Sequence, residues 1–360
     1  MVVMFIRAFI RMVFLALSLI VAPGLISEDQ PDPGIKTGRD ISFALFKEDK
    51  PIETTLVFDL TSYIRNKPKD GYIKASITFH LSDKDSISRD IRLKTRGIFR
   101  KSYCYYPPIE LNFKKVDFGF TDLDKISKLK MVIPCKAGIA NEKYILKEYL
   151  VYKLYSVLTD TSFRVRLLKL TCVDSEKKKK SYQQYSFLIE PVEMLTARTN
   201  SVQIKSKALN QTHITPRLMD RLAIFNYMIG NYDWSIPGQH NIKVIKPLVI
   251  DSAQNGIAVP YDFDWTGVVD ASYAVPAEFM GIDNVRQRLF QGVCRDREVY
   301  ENDLQEFIAG KDEFYRVIND FEYLGERDKK DVTNYLNEFF DNITGKNSVV
   351  DIFLRSCKKL

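Results

Sequence analysis

A chain of 360 residues has room for one large domain or two ordinary ones, and a 45% apolar share with 19 Tyr and 23 Phe can bury a sizeable core, which excludes global disorder. Its 53 basic and 46 acidic residues leave a formal charge of +7, a mild surplus that suits an anionic ligand or surface without defining one. The densest basic run, Lys177-Lys178-Lys179-Lys180, stands beside Asp174, Ser175 and Glu176 and reads as a solvated loop tip. No zinc-finger spacing or RNA-binding motif accompanies it, so no nucleic-acid partner is expected.

At the start, Arg7 and Arg11 precede a short apolar run from Met12 to Ile26, the pattern of a secretory signal. Export to a periplasm, a cell envelope or the medium is therefore expected. The run is shorter than the ~20 residues of a membrane span. Counting Val2 to Ile10 lengthens it, so an uncleaved anchor, with membrane association through this segment, is the alternative. Residues 1–27 are read as signal or anchor and 28–38 as a polar, Pro-containing linker. A β-rich lobe (39–190) and a mainly helical lobe (191–360) follow. Five cysteines, none in a Cys-x-x-Cys pair, argue against zinc; in an export compartment one or two disulfides can form and leave a thiol over.

Past the linker, Thr55 to Leu60, Tyr72 to Leu81 and Ser88 to Thr95 alternate apolar with polar residues and predict strands of a half-exposed antiparallel sheet. Pro108 to Phe113 and Lys128 to Ile133 add two more. Asn141 to Leu158 changes period and predicts one packed helix within this lobe. Strands resume at Phe163 to Cys172 and Gln184 to Ile189. In the second lobe Leu218 to Met228 reads as a buried helix, and Asn231 to Gly238 as a break. Ile242 to Ile245 and Ile257 to Tyr261 read as a hairpin closed by Asp251 to Gly256, and Tyr300 to Ile343 as helical.

Two polar constellations carry the chemistry: Gly230 to Asn241, containing Asp233 and His240, and Val259 to Gly267, containing Asp262 and Asp264. An Asp on a loop after a buried helix is suited to accept a proton or orient a nucleophile. Asn and Asp oxygens suit a hard ion, Mg²⁺ or Mn²⁺, which bridges phosphate oxygens. Each residue is also at home in a turn or cap, and His240 has no metal-binding companion at the spacing a zinc site needs. The order helix, Asp, loop, Asn, strand, turn, strand, Asp-x-Asp is what favours the functional reading.

The series Asp233…His240-Asn241…Tyr261-Asp262-Phe263-Asp264-Trp265-Thr266-Gly267 resembles the spore-coat CotH-type protein kinases and, more widely, atypical kinases. Arg96-Gly97 at the end of a strand, the helix from Asn141 to Leu158, and Tyr185 to Glu193 resemble further parts of that family in the same order. The resemblance implies an α+β, two-lobed atypical protein-kinase-like fold with ATP and a divalent metal between the lobes. Asp233 would be the catalytic Asp; Asn241 and Asp262 would hold metal, with Asp264 a second carboxylate. Arg96 and Gly97 would lie near the phosphates, and Glu148 would orient a basic residue there. The chain departs from the family at Ile98-Phe99-Arg100 and at Pro108 to Phe113, where a Lys is delayed, so Lys94, Lys101 and Lys130 all stand as candidates for the phosphate contact. Two functions follow: an exported phosphotransferase acting on a protein or envelope component, or a non-catalytic envelope binding protein on a kinase-like scaffold.

Overall fold

The structure, a computed structural model, describes residues 44–68, 71–249, 255–343 and 348–360. The expected signal or anchor, the linker, and most of the hairpin loop lie outside them. Seven strands close into a barrel in the order β1-β2-β3-β4-β5-β7-β6. They are β1 (Ile52–Phe58), β2 (Ile73–His80), β3 (Ser86–Thr95), β4 (Ile109–Asn112), β5 (Lys128–Val132), β6 (Val165–Asp174) and β7 (Tyr182–Ile189). Pairing is antiparallel except where β1 runs parallel to β6, Leu56 opposite Cys172, and this pair shuts the barrel. The expected half-exposed sheet is thus corrected to a barrel without edges: alternate residues such as Leu56, Phe79, Leu93, Leu111, Met131 and Leu170 fill its interior.

Short helices decorate the barrel: α1 (Leu60–Asn66), α2 (Phe99–Tyr103) and α3 (Thr121–Asp124). The expectation of a single helix here is corrected by these three, each too short to show a helical period. Asp59 caps α1, its carboxylate accepting the Ser62 N–H at 2.8 Å. The long helix α4 (Ile139–Leu158) lies against the outer face of β6 and β7. It is buried on nearly every side, Tyr149 stacking on Phe321 of the helical part at 5.5 Å and meeting Phe187 of β7 edge-on. Burial on most of its faces is what an element sandwiched between layers shows.

After Glu190 and Pro191 come α5 (Val192–Arg198), β8 (Ser201–Ile204) and α6 (Pro216–Ile229). The expected hairpin forms from β9 (Ile242–Pro247) and β10 (Ile257–Pro260), and β8 joins it to make three strands, β10-β9-β8. An irregular stretch, 261–296, carries the Asp262 loop, and four helices follow: α7 (Arg297–Ala309), α8 (Lys311–Asn319), α9 (Glu326–Ile343) and α10 (Val349–Ser356). The architecture is mixed α+β, a barrel followed by a largely helical C-terminal region. Disulfides join Cys104 to Cys135 and Cys294 to Cys357, and Cys172 remains a buried thiol in the barrel. No helix among the described residues is long and apolar enough to cross a membrane.

Candidate functional site

Pro216 opens α6 and Gly230, at φ 68°, closes it, its N–H turned back to the Asn226 and Tyr227 carbonyls. Asn231 then bonds the buried Asn226 side chain at 2.9 Å and offers its own Oδ1 to the Asp233 N–H at 3.0 Å. This fixes the exit from the helix. Asp233 Oδ1 sits 2.8 Å from His240 Nε2, and the Asn241 amide nitrogen donates to both the Asp233 carbonyl and its Oδ2, each at 2.9 Å. With its NH₂ committed to Asp233, Asn241 keeps its amide oxygen for another partner. Burial pushes the Asp233 carboxyl up, and the His240 ring opposes the shift.

Asn241 enters β9 with φ 52°, and its carbonyl accepts the Tyr261 N–H at 3.0 Å. The hairpin register, Ile242 opposite Pro260, therefore brings Asn241 beside the start of the Asp262 loop. Asp262 has φ 67° and donates its N–H to Tyr152 Oη on α4 at 2.8 Å. Left-handed backbone costs roughly 1–2 kcal/mol per ordinary residue, less for Asn and Asp. Two such residues meeting here is the local strain that functional sites concentrate.

Behind them lies a buried charged group. Asp264 accepts the Tyr273 hydroxyl at 3.1 Å and faces Arg100 Nη1 at 3.7 Å. Burial and the neighbouring Asp262 charge push its carboxyl up to about 7. Arg100 is anchored on the Ile133 carbonyl at 2.6 Å. Burial alone would lower its pKa, but Tyr273, Asp264 and Glu148 outweigh it and the net shift is upward. Glu148 is fully buried on α4, and neither carboxylate oxygen has a hydrogen-bond partner. Burial, then Asp264 and Asp262, hold it well above the usual carboxylate range, against Arg100 and Arg96. The Nε atoms of Arg96 and Arg100 are likewise buried without partners. Arg96 opens the turn after β3, where Gly97 at φ 80° supplies the left-handed backbone.

Between β5, the Glu190-Pro191 crossing and the β9–β10 hairpin runs a cleft of about 290 Å³. Lys130 projects from β5 into it, its ammonium 4.3 Å from the centre of the Tyr261 ring. Burial, Arg96 and Lys243 pull Lys130 down to about 8, while Asp262 supports its charge. Of the three lysines left open by the sequence, Lys130 lies in this cleft beside Tyr261; Lys94 instead pairs with Glu110 at 3.6 Å and lies over Tyr72. The sequence reading did not single out Arg100, Tyr152 or Tyr273. A separate cavity of about 930 Å³, lined by residues such as Asp59, Lys74, Arg92 and Glu176, includes none of these site residues.

Among the described residues no three His, Cys, Asp or Glu side chains form a metal-binding group. The set here is two carboxylates and an amide, Asp262, Asp264 and Asn241. The Asp262 carboxylate accepts no hydrogen bond among the described residues, and the orphaned oxygens of Glu148 face the same charges. Hard oxygen donors of this kind suit Mg²⁺ or Mn²⁺.

The fold and site thus define a barrel-plus-helical α+β protein with clustered Asp, Asn, Glu and Arg side chains beside a cleft. No protein-family model and no curated protein matches the chain. Among solved structures, that of a Helicobacter pylori proinflammatory kinase, CtkA, is similar at 10% identity and a TM-score of 0.37, covering 69% of this chain and 90% of that one. The likeness is remote and is one of outline.

Proposed function

We propose that this chain is an exported, CotH-like phosphotransferase that uses ATP and a divalent metal to modify a protein or cell-envelope component. The observation that carries the reading is the set of orphaned buried atoms, Glu148 Oε1 and Oε2 with Arg96 Nε and Arg100 Nε, gathered near the charge of Asp262. Buried polar groups left unpaired cost roughly 1–3 kcal/mol each and call for a partner that binds there. Asn241, Asp262 and Asp264 would hold Mg²⁺ or Mn²⁺, which when bound neutralises charge on the phosphate oxygens. Arg96, the Gly97 turn and Lys130 bind the phosphates, and Glu148 fixes Arg96 and Arg100 once the ligand is bound. Asp233, steadied by His240 and Asn241, accepts the proton of the acceptor hydroxyl, and its raised pKa makes it the better base. Two disulfides support an oxidising, extracytosolic location.

The test separates binding from turnover. Asp262→Asn should abolish metal-dependent ATP binding, and Asp233→Asn should retain binding while losing phosphate transfer or ATP hydrolysis. Wild-type turnover in either variant refutes these roles. The engagement of Asp264 by Tyr273 and Arg100 favours a second reading, a non-catalytic binding protein on the same scaffold. Ligand binding that is intact in wild type with no turnover under any metal selects it.

A further inference from the structure

Asp233 is steadied from outside its own motif as well. Gln291, buried in the irregular stretch 261–296, donates its amide N–H to the Tyr232 carbonyl at 3.0 Å, across 59 residues of sequence. That carbonyl and the Asp233 N–H are the two ends of one rigid peptide plane. The N–H end is held by Asn231 Oδ1 at 3.0 Å, and the carbonyl of Asp233 itself by the Asn241 amide at 2.9 Å. The two peptide planes flanking a residue set its φ and ψ, and with them the direction of its side chain. Among the described residues no backbone N–H reaches the Tyr232 carbonyl, so the first plane depends on Gln291.

Gln291 can hold Tyr232 only if it is itself held. Phe290 stacks on Phe353 of α10 at 4.0 Å and meets Tyr300 of α7 edge-on at 5.8 Å. On the other side of Gln291, the Gly292 carbonyl accepts the Lys358 N–H at 2.8 Å, and the Cys294 N–H donates to the Lys358 carbonyl at 3.1 Å. Val293 thus forms a parallel bridge with Lys358, and Tyr300 Oη adds a bond to the Val293 carbonyl at 2.6 Å. Lys358 is exposed, so its two backbone bonds compete with water and each contributes only about 1 kcal/mol net. The Cys294–Cys357 disulfide closes the bridge covalently, one residue from each partner and three from Gln291.

We propose that Gln291 is a positioning residue for Asp233 and that the Cys294–Cys357 disulfide keeps it in place, so that the transfer step depends on this tether while Mg²⁺–ATP binding at Asp262 does not. Asn241, which touches both, has its own anchor in the Tyr261 N–H at 3.0 Å. The proposal rests on the phosphotransferase reading and adds to it a residue and a restraint that lie outside both sequence motifs.

The experiment compares wild type with Gln291→Met, which keeps the length of the side chain without a donor, with Cys294→Ser/Cys357→Ser, and with all three changes combined. Calorimetry reads Mg²⁺–ATP affinity, a steady-state assay reads ATP hydrolysis, and NMR reads the ring of His240, one of three histidines in the chain. His240 Nε2 lies 2.8 Å from the Asp233 carboxylate, so its signal follows that group whether or not turnover occurs. Gln291→Met should lower kcat at least about tenfold, since a misplacement of about 1 Å can cost about a hundredfold. KM for ATP and Mg²⁺–ATP affinity should be unchanged. The His240 signal should shift, while those of His80 and His213, bonded to Thr55 and Asn210, should not. The cysteine variant should move kcat and His240 in the same direction, and the combined variant should be no slower than Gln291→Met, because both changes act through one side chain. Should a variant not fold, Gln291→Asn, which withdraws the amide by one carbon, and Lys358→Pro, which removes the N–H on Gly292, carry the same expectations. Losses that multiply in the combined variant overturn the tether. A His240 signal unmoved by Gln291→Met, or Mg²⁺–ATP affinity lost together with kcat, overturns the positioning role and leaves the Asp262 site standing. Wild type that binds Mg²⁺–ATP without turnover overturns the phosphotransferase reading and, with it, the catalytic part of this inference, while the His240 signal still decides whether Gln291 holds Asp233.

Discussion

Glu148→Gln separates a ligand-binding carboxylate from a structural one. The side chain is fully buried, and both of its oxygens lack partners. Its strongest charged neighbours are Asp264 and Asp262, ahead of Arg100 and Arg96. In the ligand-free protein it therefore gains little as an anion, and leaving it unsatisfied costs about 1–3 kcal/mol. An amide of the same shape carries no charge to desolvate and offers N–H donors to the two aspartates. We expect Glu148→Gln to stabilise the empty protein by about 1 kcal/mol, a rise of about 2–4 °C in Tm. Affinity for the Mg²⁺–ATP complex should fall at least tenfold, about the 1.5–3 kcal/mol of a lost hydrogen bond to a charged group. Differential scanning calorimetry and titration on the same protein read both quantities. A fall in Tm of more than about 4 °C would show that Glu148 already stabilises Arg96 and Arg100 as an ion-pair partner, and would refute the reasoning.

Gly230→Ala should cost at least about 3 kcal/mol in urea unfolding, from about 1–2 kcal/mol for the left-handed backbone and the rest from overlap of the new Cβ with Tyr335 Oη. Asp331→Ala should cost about 2 kcal/mol: it strips the buried Lys147 ammonium of a partner at 2.6 Å, though the half-exposed Asp331 moderates the loss. Raising pH through about 8 should weaken ATP binding as Lys130 loses its proton. Titrations in buffers of different ionisation enthalpy should then report proton uptake on binding. In the ligand-free protein the sign is opposite: the Lys130 pKa is depressed on folding, so the unfolded chain holds more protons from about 8 up to the ordinary lysine value. Stability through this group rises with pH across that window.

Elements whose burial pattern repeats along the chain were legible. Ile87, Ile91 and Leu93 mark β3 by alternation, and the apolar girth of Tyr149, Leu150 and Tyr152 marks α4. Barrel closure was not, because it depends on β1 meeting β6 across more than a hundred residues, a pairing that no local pattern encodes. α1, α2 and α5 span two turns or fewer, and β8 is four residues long, too little for a period. The chain order of Asp233, Asn241 and Asp262 was readable, and the structure brings Asp233 and Asn241 into direct contact. Arg100, Tyr152 and Tyr273 were hidden for a different reason: each acts across an element boundary, through one hydrogen bond or charge that only packing creates.

The most direct test of the central claim is a thermal-shift titration with ATP, with and without Mg²⁺, on wild type and Asp262→Asn. Ligand bound to the folded state at about 100 times its dissociation constant should add ~2.7 kcal/mol. A shift that requires both Mg²⁺ and Asp262 is the predicted result; no shift at millimolar nucleotide, or one indifferent to Asp262, would contradict a metal-dependent nucleotide site.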